Sequence, residues 1–410
     1  MKNRRIWVNL SIAGLTMVSL LGLLLRTKII FTLPFINYNH LVEAHGHFTF
    51  SGWVTLSLQI LLVNELLTEQ QSRKVIYEWL IGAVAAISWC MMIVYLLKGY
   101  DASSIAVSSV FIFITFFFAY VFIKDVIRAG VSKPVRLLSI SAVSCLVLSS
   151  FGPFAIDYIY FSHSFQSLTF LYRDSLFTYL HFQYNGFFSL AILSLLFNEV
   201  EKKFPQNNSN EINLFTYVLV VSLIPALFLS FLWQDPKTIY RIIAIAGSAL
   251  TFICCLLFIK IYPLLRTTYF RKERFQIRAL FVISLFSFVL KLFLQCFTIF
   301  PPIGNAIFGN RPIIMSFLHL VFLCFVTLFI LAWYARNQML DANKRITRLA
   351  LGLFAAGVVI NEVLLMGEGL IIMFSPASVL FLWLLWAAAI WLLISAALII
   401  VARAQTKELN

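Results

Sequence analysis

The stretch His40-Leu-Val-Glu-Ala-His45-Gly-His47-Phe-Thr-Phe-Ser-Gly52-Trp53 places three of the chain's six histidines within eight residues and then opens a long apolar run. Imidazole is the commonest metal ligand among side chains. An ionisable group inside a membrane span is expensive and usually functional. If the run is a membrane span, the fold class follows from it. If other spans carry histidine at the same depth, a shared site follows.

The composition settles the first question. The chain has 410 residues, 61% of them hydrophobic and only 12% charged. A soluble domain carries about twice that share of charge. Apolar runs long enough to cross a bilayer recur from end to end, so the chain is read as an all-α polytopic membrane protein. A β-barrel would show short alternating segments instead. Twelve spans are predicted, over residues 6–27, 40–64, 76–97, 102–123, 137–160, 175–198, 213–233, 239–260, 277–299, 312–335, 347–370 and 378–402. They form a single transmembrane domain over residues 1–410, with no soluble module. The longest polar insert runs from Glu199 to Glu211 and reads as a linker.

The net charge of +14 is explained by topology. With a cytoplasmic N-terminus, every inner loop holds at least two Lys or Arg, and the loop before span 9 holds six. That asymmetry is the positive-inside pattern, and it predicts both termini in the cytoplasm. The expected location is a cell membrane, of the bacterial cytoplasmic kind. The lipid bilayer is the first partner, with other membrane subunits or an electron donor as further candidates. Nucleic acid is excluded for want of a basic soluble module. Lys2-Asn3-Arg4-Arg5 precedes an apolar run without a small-residue cleavage site, so it reads as a retained first span. The six cysteines all fall in apolar runs without a CxxC, and read as small core residues. The aromatic segment from Tyr158 to Asp174 reads as a cap lying along the interface.

This topology puts the histidines at one level. His181 lies seven residues after Asp174 in span 6, and His319 eight residues after Arg311 in span 10. At a helical rise of about 1.5 Å per residue, both sit roughly 10–12 Å inside the outer ends of their spans. His45 and His47 lie at a similar depth in span 2. His163 reads as a loop residue. His45 and His47 are two residues apart and point to nearly opposite faces of a helix. His40 and His47 are seven apart and share a face. Two arrangements follow. Either His47 faces the bundle with His40 above it, or His45 faces the bundle and His47 contacts another helix. Gly46 and Gly52 remove bulk, which suits either a flat macrocycle or close helix packing.

Twelve spans, a cytoplasmic N-terminus and histidines near the outer ends of spans 2, 6 and 10 resemble subunit I of the haem-copper oxidases. His45-Gly46 is similar to the histidine-glycine pair of that family's second span. His45-Gly-His47 followed by Gly52 is similar to the His-x-His-x4-Gly of the membrane haem-copper family linked to nitric-oxide responses. The resemblance implies that His45 or His47 is one axial haem ligand and His319 the other. It also implies that His181 matches the copper ligand of span 6. The chain departs from the family in three places. Span 7, from Asn213 to Trp233, has no histidine, and span 10 has one where two haems need two. The residues after His181 are Phe-Gln-Tyr184, not the His-Pro-Glu-x-Tyr of many oxidases. These departures argue against an oxygen-reducing binuclear centre.

The resemblance therefore implies a simpler site. It would hold one b-type haem, with copper as a second candidate, bound by His40, His181 and His319. Arg173, Arg241 and Arg311 at outer ends are candidate cations for haem propionates. Lys291 is expected to pair with Glu362 or Glu368, because a lone charge in hydrocarbon is costly. The first functional reading is a redox or nitric-oxide-related haem protein. The alternative is a secondary transporter or metal-ion permease with one site lined by His40, His45, His47, His181 and His319. A third is an assembly subunit without cofactor.

Overall fold

The computed structural model describes all residues except 2, 164–167, 205–209, 234–237, 267–272, 374–377 and 407–410, and it leaves out the side chains of 305 and 306. All regular elements among the described residues are helical. Twelve are long and apolar enough to cross a membrane: α1 Arg4–Ile30, α2 Tyr38–Leu66, α3 Val75–Lys98, α4 Ala102–Val126, α5 Lys133–Phe161 and α6 Thr169–Lys203, then α7 Asn210–Phe231, α8 Thr238–Leu265, α9 Phe275–Phe297, α10 Arg311–Arg336, α11 Arg345–Ile372 and α12 Val379–Ala404. The chain is thus a multi-pass helical membrane protein, as its hydropathy requires. With an even number of spans, both termini lie on one face of the bundle.

Local signals set the helix starts. Asn37 accepts from the backbone N–H groups of Asn39 and His40 and so caps α2. Asp101 caps α4 and Ser132 caps α5 in the same way. Asn310 caps α10, with a proline in its first turn where no backbone donor is needed. The aromatic segment from Tyr158 to Asp174, expected as a cap, divides between the end of α5 at Phe161 and the start of α6 at Thr169, and its residues 164–167 lie outside the described residues. Between α9 and α10 the sequence adds a short helix, Pro301–Phe308, that hydropathy did not single out.

Successive helices pack side by side, and α12 closes back on α1. Three helices stand apart from this ring. In α6, α2 and α10 the most apolar stretch is 89%, 78% and 61% buried, against 33–50% in the other nine. Each of the three also carries a π-helical turn, at Thr49–Thr55, Phe182–Phe188 and Leu320–Thr327. Such wide turns are rare and cluster at functional sites. In α6 the Ser189 hydroxyl donates back to the Tyr184 carbonyl at 2.5 Å, five residues earlier.

One phenylalanine from each wide turn meets the others in the centre of the bundle. Ring centroids are 5.8 Å apart for Phe50–Phe188, 5.5 Å for Phe188–Phe322 and 4.6 Å for Phe50–Phe322. Trp53 Nε1 donates to Thr327 Oγ1 at 2.9 Å, a second link between α2 and α10. Gly14 brings α1 against the wide turn of α2, where an added Cβ would stand 2.5 Å from the Gly52 carbonyl oxygen. Gly52 is explained by the Phe48 ring four residues earlier, which a Cβ at Gly52 would meet at 2.3 Å. Gly46 is not, since a Cβ there would meet nothing within 4 Å.

On the face that holds the termini, ion pairs fasten the helix ends. Arg336 reaches Glu199 at 2.9 Å and Glu273 at 2.8 Å. Lys74 reaches the buried Asp125 at 2.5 Å. Arg403 hydrogen-bonds Asn9 and the Met339 carbonyl.

Candidate functional site

The three central helices share a further feature. His181 and His319 each stand immediately before a wide turn, and His47 stands two residues before one. The histidine level predicted from span depth is thus the level at which α2, α6 and α10 change winding. The surroundings of the rings differ, however, and the five histidines fall into separate places.

His45 points inward and His47 outward, the second of the two arrangements open above. The His47 ring stacks on Tyr95 of α3, with centroids 4.1 Å apart and planes 13° apart. Its Nε2 lies 3.6 Å from a Glu43 carboxylate oxygen. His40 also faces α3. Gly99 ends that helix with φ of +67°, and a Cβ on it would stand 2.4 Å from the His40 ring. Only glycine suits both that backbone and that contact.

His45 lies against α1, where a Cβ on Gly22 would sit 3.4 Å from its Cε1. The ring is within electrostatic reach of His319 and of Arg26. His319 is likewise within reach of Arg26. Phe50 and Phe322, packed edge to face, bring α2 and α10 together one turn below the two histidines. His319 Nδ1 donates to the Met315 carbonyl at 2.7 Å. A carbonyl can only accept, so Nδ1 carries the proton and Nε2 the lone pair of the neutral ring. His45 Nδ1 is buried without a hydrogen-bond partner. Gly22, Arg26, His45, Gly46 and His319 are all half-buried. Two imidazoles with a free nitrogen each thus share one level, beside a cation and two glycines.

His181 is differently placed. It is fully buried, its Nε2 donates to the Leu223 carbonyl at 2.8 Å, and its Nδ1 pairs with Asn185 Nδ2 at 3.0 Å. Both ring nitrogens are engaged. The set His40, His181 and His319, taken from the sequence as metal ligands, is therefore not brought together. Equal depth did not mean equal direction, because α2, α6 and α10 each turn a different side to the centre. Among the described residues, no group of three or more His, Cys, Asp or Glu side chains is placed to hold a metal ion.

Beside His181 lies a second polar chamber, a cavity of about 10 Å³ between α6, α7, α8 and α9. That is room for about one water molecule. Lys291, 1% exposed, donates from Nζ to Ser189 Oγ at 2.9 Å and to the Tyr184 carbonyl at 3.4 Å. The expected pairing of Lys291 with Glu362 or Glu368 is not found. Glu362 instead accepts from Ser316 at 2.6 Å, and Glu368 acts on Arg26. A larger cleft of about 630 Å³ lies between α8, α9, α10 and α11. Its wall includes Phe286, Val359 and Val363, which are exposed on the outside of the bundle, so it is a lipid-facing groove.

The expected propionate cations are also redistributed. Arg311 is exposed at the start of α10. Arg173 donates to the Phe308 carbonyl at 2.8 Å and lies 4.1 Å above the Trp233 ring. Arg26 is the cation within electrostatic reach of the histidine pair, a residue whose sequence context shows only a charge at a helix end. No protein-family model matches the chain, and no curated protein matches it, so the functional reading rests on this geometry.

Proposed function

We propose that this chain is a membrane haem protein, similar in architecture to subunit I of the haem-copper oxidases, in which His45 and His319 hold one b-type haem. The observation that carries the reading is the pair itself. His45 has a buried, unpartnered Nδ1, and His319 has its Nδ1 tied to Met315, which leaves Nε2 as the nitrogen for a metal. A buried polar atom without a partner costs roughly 1–3 kcal/mol, and a ligand removes that cost. A haem held by these two histidines would supply one-electron transfer at iron.

The protein's own residues have distinct tasks in this reading. The Met315 carbonyl fixes the tautomer and orientation of His319, as the outer partner of a ligating histidine does. Gly22 lets the His45 ring lie close against α1, and a Cβ on Gly46 would meet nothing within 4 Å. Arg26 supplies positive charge for a carboxylate-bearing cofactor. His181, with both ring nitrogens engaged, stands outside the pair, and a site of two histidines fits a redox or nitric-oxide-related role better than oxygen reduction. The protein would work in the cytoplasmic membrane, with both termini inside.

The test is optical. Protein purified from haem-replete cells should show Soret and α bands in a reduced-minus-oxidised difference spectrum. His319→Ala should abolish them. A colourless preparation without metal by elemental analysis would sink the reading, and bands that survive His319→Ala would sink the ligand assignment.

A further inference from the structure

The lipid-facing groove between α8 and α11 carries an inference that does not depend on haem. It encloses about 630 Å³, within the usual range for a site that takes a drug-sized molecule. Its lining is apolar apart from Tyr262, Ser287, Cys324 and Glu362. Ser287 donates to the Ile283 carbonyl at 2.8 Å, and the Cys324 thiol lies within hydrogen-bonding reach of Ser287. Glu362 is differently placed. Its Oε1 accepts from Ser316 at 2.6 Å, while its Oε2 is buried without a hydrogen-bond partner. No Lys or Arg lines the groove, and no cation among the described residues acts on this carboxyl.

Packing does not account for an acid at this position. Serine hydroxyls elsewhere in the bundle donate to their own helix, as Ser88 does to the Val84 carbonyl at 2.7 Å and Ser287 to Ile283. Ser316 therefore has no need of a carboxyl. An ionisable group within a span is costly and usually functional. What Oε2 lacks is a donor, and what the groove lacks is a positive charge. The acyl chains of the bilayer supply neither, since a tail can cover the apolar wall but leaves Oε2 as it is. The walls suit the body of a cationic ligand. Phe286, Val359 and Val363 are exposed on the outside of the bundle, so a molecule dissolved in the bilayer reaches them directly. Tyr262 and Phe286 bring aromatic rings, whose faces attract cations.

We infer that this groove binds one lipophilic organic cation that carries an N–H donor, a protonated amine or an aromatic iminium. Glu362 meets its charge and its N–H group, and Ser316 holds the carboxyl in place. The wide turn of α10 builds the floor, to which it contributes Leu320 and Cys324. A neutral molecule of the same shape gains only the apolar contacts, and an anion is repelled by Glu362. Selectivity for positive charge is therefore the mark of the site.

The experiment is equilibrium dialysis of rhodamine 6G against the full purified chain in detergent, with empty micelles as the blank. Rhodamine 6G is an aromatic cation with N–H donors. Fluorescein ethyl ester, built on the same ring frame without the positive charge, is measured in parallel. The cation should bind saturably at one site per chain, and the uncharged frame should bind at least tenfold more weakly. Glu362→Gln keeps an acceptor for Ser316 and removes the charge, and it should weaken rhodamine 6G binding tenfold or more. Equal binding of the two dyes would mean that the groove takes any apolar body, and would overturn the proposal. So would the lack of a saturable component, or an affinity unchanged in Glu362→Gln. If that variant does not fold, Val359→Trp decides. Val359 is exposed on the outside of the bundle, so the larger side chain fills the groove and not the core. Affinity for rhodamine 6G should again fall tenfold or more, and unchanged affinity would overturn the proposal.

Discussion

The His45–His319 pair and the His181 chamber begin from the same local plan. Each histidine comes from a central helix, within four residues of a wide turn, a short way above the Phe50–Phe188–Phe322 cluster. Yet one region leaves nitrogens free and the other uses both. The difference comes from the neighbours. His181 meets α7 next to Pro225, where the helix loosens into a 3-10 turn, and the Leu223 carbonyl is there to receive it. His45 meets α1 at Gly22, which offers the ring no side chain, and at the Val18 carbonyl, which lies near the ring but makes no hydrogen bond of good geometry to its Nδ1. A histidine inside a membrane is thus a ligand or a structural tie according to what the next helix presents.

The largest expected effect tests this division directly. His45→Ala and His319→Ala should each lose the whole haem difference spectrum, while His181→Ala should keep it, scaled to folded protein. Loss in all three would erase the distinction between the regions. The next test closes the space without touching a ligand. Gly22→Leu adds a branched side chain where even a Cβ would lie 3.4 Å from the His45 ring. Most of the haem should be lost while circular dichroism keeps its helical signature. Full haem content in this variant would place the cofactor elsewhere.

A third test reverses the ranking. In haem-free protein, His181→Ala should be the more destabilising change. It leaves the Leu223 carbonyl and the Asn185 amide buried without partners, at about 1–3 kcal/mol for each unsatisfied group. His45→Ala removes an atom that had no partner, so its cost should be limited to lost packing. The check is the unfolding midpoint in mild detergent. If His45→Ala is the worse of the two, the reading of satisfied and unsatisfied rings is wrong.

Most of the fold was legible because hydropathy and charge act over whole helices. The twelve spans and the level of the histidines follow from runs of twenty residues and from Lys and Arg counts. What decides the site acts over single atoms. Nothing between Leu320 and Thr327 marks a wide turn, and the run there is simply apolar. Gly52 and Gly186 sit in the other two wide turns, but glycine in a membrane helix reads first as packing. The carbonyl that engages His181 is backbone, two residues before Pro225, and no side chain of α7 announces it. Arg26 and Lys291 were visible as charges, yet their company was not. Lys291 sits on Ser189 and Tyr184 rather than on a carboxylate, since α6 reaches it first and Glu362 is taken by Ser316.

The smallest expected effect concerns the outward histidine. His47 differs from His45 by two positions and shares its helix, so position alone makes it an equal candidate ligand. Its ring, however, lies flat on Tyr95 and beside Glu43. A stacked aromatic pair is worth about 0.5–1.5 kcal/mol beyond the area it buries. The Glu43 contact adds little, because both side chains are part-exposed and the 3.6 Å separation is long. His47→Ala should therefore keep the full haem spectrum and lower stability by about 1 kcal/mol, measured as a shift in the unfolding midpoint. His47→Phe should recover most of that loss, since a phenyl ring can lie on Tyr95 without any nitrogen. If His47→Ala removes the haem bands and His47→Phe does not restore them, the ring acts as a ligand. The free nitrogen would then have to be sought on the α3 side of α2, and the pairing of His45 with His319 would be lost.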